Sequence, residues 1–222
     1  MKRILISGLI VVVVVLVSAV AMASVYRFDV DYSSLGKVNI DYSEYHGETA
    51  YVTDFNVTSS DVSLDASKAA YCVDLLDDIS PGSYYGILLP LTTLVPQTRN
   101  SYLAAAALLE QYGQAYDSDN DQYEERLQLA IWETLYEKQG NAYDLGSGDF
   151  TSDSYSFYGA ADALDLSGQD VSAYRVLRFT DADGNSLGKQ DLLIKVNSVP
   201  VPGAIWLLGS GLLGLVCIRR RG

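Results

Sequence analysis

Two side chains in this sequence are suited to form a covalent bond with each other: Cys72 in KAAYCVDLL and Gln128 in LQLAIWETLYE. Wound as an α-helix at about 100° per residue, the second stretch sets Gln128 within roughly 60° of Ile131, Trp132 and Leu135. Arg126, Glu133 and Glu137 then fall on the opposite side. A glutamine at the centre of an apolar face must be partnered, because a buried carboxamide without hydrogen bonds costs on the order of 1–3 kcal/mol. Cys72 is the only cysteine outside the C-terminal tail. A cysteine thiolate against a glutamine carboxamide in a dry pocket expels ammonia and leaves an internal thioester, an electrophile that amines open. The same two residues also suit a plainer role, a small buried cysteine beside a hydrogen-bonded core glutamine.

The segment Tyr71-Cys72-Val73, followed downstream by Gln128-Leu129-Ala130-Ile131-Trp132, resembles the thioester domains of bacterial surface adhesins. That resemblance implies a Cys72–Gln128 bond attacked by amines on a target surface. It also implies a pocket formed by Tyr71, Ala130, Ile131 and Trp132. The sequence departs from the pattern at Leu127, where the family commonly has threonine.

These residues must be positioned by one folded domain. Of 222 residues, both ends read as targeting segments, which leaves residues 24–198 as an ectodomain large enough for a core. All 28 acidic residues lie between Ser24 and Pro200. Lys2, Arg3, Arg219, Arg220 and Arg221 lie outside, so that stretch holds 10 basic residues and carries a net charge of −18. Such a charge excludes nucleic acid as a natural partner and is repelled by an anionic lipid surface. It suits solubility or loose association with divalent ions. With Cys217 in the tail, Cys72 has no disulfide partner inside the domain, although export implies an oxidising compartment. Burial, dimerisation or thioester chemistry would each account for a lone thiol.

Residues 24–64 alternate polar with aromatic or β-branched side chains (YRFDVDY, KVNIDY, AYVTDFNV) around Gly36 and Gly47, which reads as three or four strands. Lys68 to Asp74 continues as a strand carrying Cys72, and Gly86 to Leu91 reads as a short strand or a loop on the core. Ser101 to Tyr116 has the alanine and leucine density of a buried helix. It is followed by the Gln128 helix, a glycine-broken loop from Lys138, and a short helix over Ser154 to Leu166. SAYRVLRFT and KQDLLIKV then form a hairpin with Asp183-Gly184-Asn185 near its tip. Strands, then helices, then strands suggest an α+β fold, a β-sandwich or barrel-like sheet with a helical insertion. Cys72 and Gln128 would meet at the seam between the two parts.

Other candidate sites are weaker. Asp117, Asp119 and Asp121 have D-x-D-x-D spacing, but a calcium loop needs glycine at its sixth position and glutamate at its twelfth, where this chain has Gln122 and Gln128. Capping of the following helix explains the same aspartates. His46, the single histidine, lies in a YHGE turn and is expected exposed, which leaves zinc and a Ser-His-Asp triad without support. Asp74, Asp77 and Asp78 read as an aspartate-rich turn after a strand. No metal, cofactor or catalytic pair emerges, so the chain is not read as an enzyme.

The termini give an address. Met1 to Ala23 has Lys2 and Arg3, an apolar run from Ile4 to Val20 and a small-x-small end at Ala21-Met22-Ala23, the pattern of a cleaved secretory signal peptide over 1–23. Residues 199–222 hold Pro200-Val201-Pro202, a 16-residue apolar run from Gly203 to Ile218, then Arg219, Arg220 and Arg221. At 1.5 Å per residue the run reaches about 24 Å, against about 30 Å of bilayer core. The arginines set this end on the cytoplasmic side. The tail resembles the PEP-CTERM sorting signal of Gram-negative bacteria that make exopolysaccharide, in its Val-Pro-x-Pro variant. This implies recognition by a membrane-embedded exosortase, loss of the tail after transient anchoring, and delivery across the inner membrane to the cell surface or extracellular matrix. There the domain would either capture amine-bearing targets through Cys72 and Gln128 or serve as a non-covalent matrix protein contacting exopolysaccharide or divalent ions.

Overall fold

A computed structural model describes residues 24–42, 45–94, 96–113, 121–137, 143–153 and 169–197. It contains β1 (Val25–Tyr42), β2 (Tyr45–Thr58), β3 (Tyr71–Cys72), β4 (Gly82–Pro90), a 3-10 turn (Leu91–Thr93), α1 (Pro96–Tyr112), α2 (Asp121–Tyr136), β5 (Phe150–Ser152), β6 (Tyr174–Thr180) and β7 (Leu192–Lys195). The strands form one seven-stranded sheet in the order β2-β1-β4-β6-β7-β3, with β5 paired to the far end of β1. Every pairing is antiparallel. The expected helices therefore lie between strand sets, and the sheet is single rather than a two-sheet sandwich.

The two edge strands approach each other. Phe55 in β2 and Ala70, just before β3, exchange main-chain hydrogen bonds at 3.3 and 3.0 Å. One bridge thus draws the sheet toward closure, in the manner of a barrel that removes its own edges.

Where three or four strands were expected over residues 24–64, two long ones form. Gly36 is not a break but a β-bulge. Ser34 pairs with Thr53 and Gly36 with Val52, which leaves Leu35 as the extra residue. Phe28 and Val30 before the bulge and Val38 and Ile40 after it keep the inward face of β1, Leu35 is turned inward as well, and the buried face of β2 shifts from Phe55 to Val52. A side chain at Gly36 would place its Cβ 3.3 Å from the Glu125 carboxylate of α2, so the close approach of strand and helix uses the missing Cβ. Further on, β6 and β7 pair as the expected hairpin partners. The turn between them is held by the Asp181 carboxylate, which accepts the Asp183 and Asn185 N–H groups at 2.9 Å each.

The helix α2 separates two hydrophobic cores. Leu129 and Trp132 pack with Cys72, Phe55, Leu177 and Leu192. Leu127, Ala130 and Ile131 pack with Tyr71, Leu108, Tyr174 and Leu193. A helix wedged between two cores is buried on more than its apolar face: on the side opposite Gln128, Arg126 is exposed, whereas Glu133 is fully buried and Glu137 nearly so, and Glu124 is fully buried as well. At about 1.5–3 kcal/mol for each large side chain buried, Leu127, Leu129, Ile131 and Trp132 anchor α2 in both cores.

Candidate functional site

The pairing parity of β3 explains why Cys72 needs a partner. Val73 N–H bonds the Asp191 carbonyl at 3.0 Å, while Cys72 faces Leu192. Successive residues of an antiparallel strand direct their main-chain groups to opposite sides, so the Cys72 N–H and C=O point away from β7. The neighbour on that side, Ala70, has Phe55 of β2 as its partner. Cys72 has no such strand beside it.

Gln128 fills that position. Its Nε2 donates to the Cys72 carbonyl at 2.8 Å, and its Oε1 accepts the Cys72 N–H at 3.0 Å. Both residues are buried, Gln128 at 0 % and Cys72 at 2 % exposure. The carboxamide acts as a one-residue strand that completes the edge of β3, and it lies against the residue that carries the thiol. Thus the Gln128 side chain meets the main chain of Cys72 across 56 residues of chain.

The thiol itself is engaged by the next turn. Sγ donates to the Asp74 carbonyl at 2.8 Å and receives the Asp74 N–H at 3.3 Å. Burial pushes the thiol well above its ordinary range, against the opposing pull of the Asp74 N–H and the Trp132 side chain. Burial shields the thiol from adventitious oxidants and alkylating agents in the folded protein.

Around the pair, the polar groups are fixed by main chain. Tyr136, two turns beyond Gln128, accepts the Leu75 N–H at 3.1 Å and donates to the Val73 carbonyl at 3.2 Å, and burial raises its hydroxyl far above the ordinary phenol range. Gln190 Nε2 donates to the Asp74 carbonyl at 3.1 Å. Burial raises the Asp74 carboxyl, and burial also raises Asp191, although Arg178 holds it at 2.8 Å and pulls the other way.

Among the side chains expected to wall the pair, Trp132 shares the core that contains Cys72. Tyr71, Ala130 and Ile131 lie in the second core, behind α2. Burial, then Glu124 and Asp54, raise the Tyr71 hydroxyl far above its ordinary range. The sequence reading missed Tyr136, although it continues the Gln128 and Trp132 face by one more turn of helix. It also missed Gln190 and the main-chain role of Asp74, for which the sequence holds no signal, since a carbonyl is present at every residue.

The remaining candidates are placed as follows. His46 is the second residue of β2 rather than part of a turn, and it is exposed as expected, with Nδ1 3.7 Å from the Asp41 carboxylate. Among the described residues no group of three His, Cys, Asp or Glu side chains is arranged to hold a metal, and no helix is long and apolar enough to cross a membrane. The signal peptide, the D-x-D-x-D segment apart from the backbone of Asp121, the helix expected over Ser154 to Leu166, and the tail lie outside the described residues.

The tail is decided by comparison. Residues 198–221 match the PEP-CTERM protein-sorting motif. The match includes Pro200, Val201, Pro202 and the three arginines, Arg219, Arg220 and Arg221. A PEP-CTERM motif marks its chain for export with a membrane-anchored sorting signal and for processing by an exosortase. No curated protein and no solved structure matches the chain.

Proposed function

We propose that this PEP-CTERM protein is delivered to the cell surface or extracellular matrix, where it attaches covalently to amine-bearing targets through an internal thioester between Cys72 and Gln128. The observation that carries the reading is the reciprocal hydrogen bonding of the Gln128 carboxamide to Cys72, 2.8 and 3.0 Å in length, in a buried pocket. These bonds hold the carboxamide against the residue that carries the thiol, which supports the reading.

The chemistry follows from the same contacts. The sulfur attacks the Gln128 acyl carbon, the thiol proton passes to the amide nitrogen, and ammonia leaves as the C–S bond forms. Oxygen becomes negative in the tetrahedral intermediate, and the Cys72 N–H, already 3.0 Å from Oε1, is placed to stabilise it; a single such donor is worth about 3–4 kcal/mol in acyl transfer. In the second step a neutral amine adds to the same carbon, the C–S bond breaks, and the amine's proton goes to sulfur. The products are a Gln128 secondary amide and a free Cys72 thiol. Burial and Trp132 keep water from competing. The reaction runs once per molecule, so the protein acts as an adhesin and not as an enzyme.

A second reading rests on the same geometry. With its carboxamide intact, Gln128 already satisfies the free edge of β3, and Sγ is turned to Asp74; the pair is then a structural lock in a non-covalent matrix protein contacting polysaccharide or divalent ions. Intact mass separates the two. A thioester makes the exported protein lighter than its sequence by one ammonia and lets it gain one methylamine on incubation. An unmodified mass, with Cys72 alkylated only after unfolding, removes the covalent reading.

A further inference from the structure

Between β2 and the loop after β3 lies an open cavity of about 590 Å3, lined by neither Cys72 nor Gln128. Its walls include Tyr51, Leu75, Asp77, Asp78, Trp132 and Gln190. Two of these connect it to the pair. Trp132 belongs to the same packed core as Cys72. Gln190 donates to the Asp74 carbonyl at 3.1 Å, the oxygen that also accepts the thiol at 2.8 Å.

The chemistry of the cavity is cation-seeking. Asp77 and Asp78 contribute carboxylates, Tyr32, Tyr51 and Trp132 contribute aromatic rings, and none of the lining residues is basic. A cation over such rings is held by about 0.5–2 kcal/mol. Lys37, outside the lining, already stands with Nζ 4.8 Å over the Tyr51 ring. An amine attacks through a neutral lone pair, whereas nearby carboxylates stabilise its protonated, unreactive form. Carboxylates beside an amine-capturing centre therefore favour capture when they hold a different positive charge on the same ligand.

We infer that this cavity is the port through which the amine enters, and that Asp77 and Asp78 select ligands with a second ammonium group beyond the reacting nitrogen. The inference rests on the thioester reading for its chemistry, while the cation preference of the cavity stands independently of it. The distal ammonium is held by the two aspartates, and the neutral nitrogen passes Trp132 to the Gln128 acyl carbon. There the C–N bond forms, the C–S bond breaks and the nitrogen's proton moves to sulfur.

The chain has two tryptophans, Trp132 and Trp206. In the full-length protein in detergent, carrying Trp206→Phe, emission reports Trp132 alone. Titration with 1,4-diaminobutane, a dilysine peptide, butylamine and 4-aminobutyrate at fixed ionic strength is expected to shift that emission. The two dications should act at concentrations about tenfold below butylamine, and 4-aminobutyrate should be weakest. Double substitution Asp77→Asn with Asp78→Asn should bring the dications to the butylamine level. Tighter binding of the peptide assigns the amine to protein lysines, and tighter binding of the diamine to free polyamines. Equal responses to all four amines, or selectivity untouched by the double substitution, overturn the inference. Adduct mass on the same samples is read separately: no ammonia deficit and no adduct overturn the covalent reading while the emission result still decides the cation preference.

Discussion

The Gln128 carboxamide bridges both main-chain groups of Cys72, donating to its carbonyl at 2.8 Å and accepting its N–H at 3.0 Å. Replacing the glutamine and replacing the cysteine therefore have different consequences. Gln128→Ala leaves a buried N–H and C=O unpaired, at a cost of about 1–3 kcal/mol each when no water enters, and abolishes amine capture. Cys72→Ala keeps the bridge, costs about 1 kcal/mol for the lost sulfur, and also abolishes capture. Urea denaturation alongside intact mass after methylamine treatment separates the two effects. A methylamine adduct on the Cys72→Ala protein would refute the proposed bond.

Stability against pH should form a plateau set by Lys195, Glu110 and Asp65. Lys195 Nζ lies 2.8 Å from Glu110 and 3.4 Å from Asp65, and Tyr174 donates to Glu110 at 3.0 Å. Ser67, ahead of Lys195, holds the Asp65 carboxyl below its ordinary value of 3.8. Burial would raise Glu110, but hydrogen bonds from Lys195 and Tyr174 outweigh it and hold it below 4.5. Glu110 raises Lys195 above 10.5 despite its burial. The carboxylates bind protons less readily in the folded chain, so their contribution is present above about pH 4.5 and is lost as pH falls through their folded values. Lys195 contributes fully below 10.5 and loses its contribution as pH rises through its raised value. Lys195→Met should lower neutral-pH stability by up to about 1 kcal/mol and flatten both shoulders of a thermal-melting profile. Unchanged shoulders would show that the network is energetically silent.

Gly148 is expected to tolerate no side chain. Its φ is 119°, and an added Cβ would fall 2.3 Å from a Glu137 carboxylate oxygen. That carboxylate accepts the Asp149 N–H at 3.0 Å and the Phe150 N–H at 3.2 Å, which ties the end of α2 to β5. Gly148→Ala should therefore lower the urea midpoint by an amount equal to about 2–4 kcal/mol, with Glu137→Gln costing less because the amide retains an acceptor. An alanine variant as stable as the parent would mean that the loop has room the contact denies.

Periodicity made the sheet and its helical insertion legible because β1 and β2 alternate and α1 is rich in alanine and leucine. It failed at Gly36, where a glycine reads as a break but makes a bulge, and at Glu133, where charge reads as exposure. A helix with two cores buries its polar residues too, and the second core becomes evident only once Tyr71 and Leu193 are seen to pack on the far side of α2. Cys72 and Gln128 were found because their residue types are costly to bury unpartnered. Their meeting depends on the parity of β3, which a two-residue strand does not reveal in its sequence.

The three terminal arginines should determine retention. The 16-residue apolar run from Gly203 to Ile218 would span only about 24 Å as a helix, short of the bilayer core, so the tail depends on its flanks to stay in place. Arg219, Arg220 and Arg221 resist transfer, each costing on the order of 2.5–3.5 kcal/mol at the bilayer centre. Substituting all three with glutamine leaves the apolar run intact but removes that barrier. The variant is expected to be exported and then lost from the membrane fraction without exosortase cleavage, whereas the parent is held and processed. Fractionation and C-terminal mass of both proteins, in cells with and without an exosortase, make the comparison. Processing of the glutamine variant at the parental rate would show that the exosortase reads the Pro200-Val201-Pro202 segment and the apolar run alone, and that the arginines serve only to orient the chain.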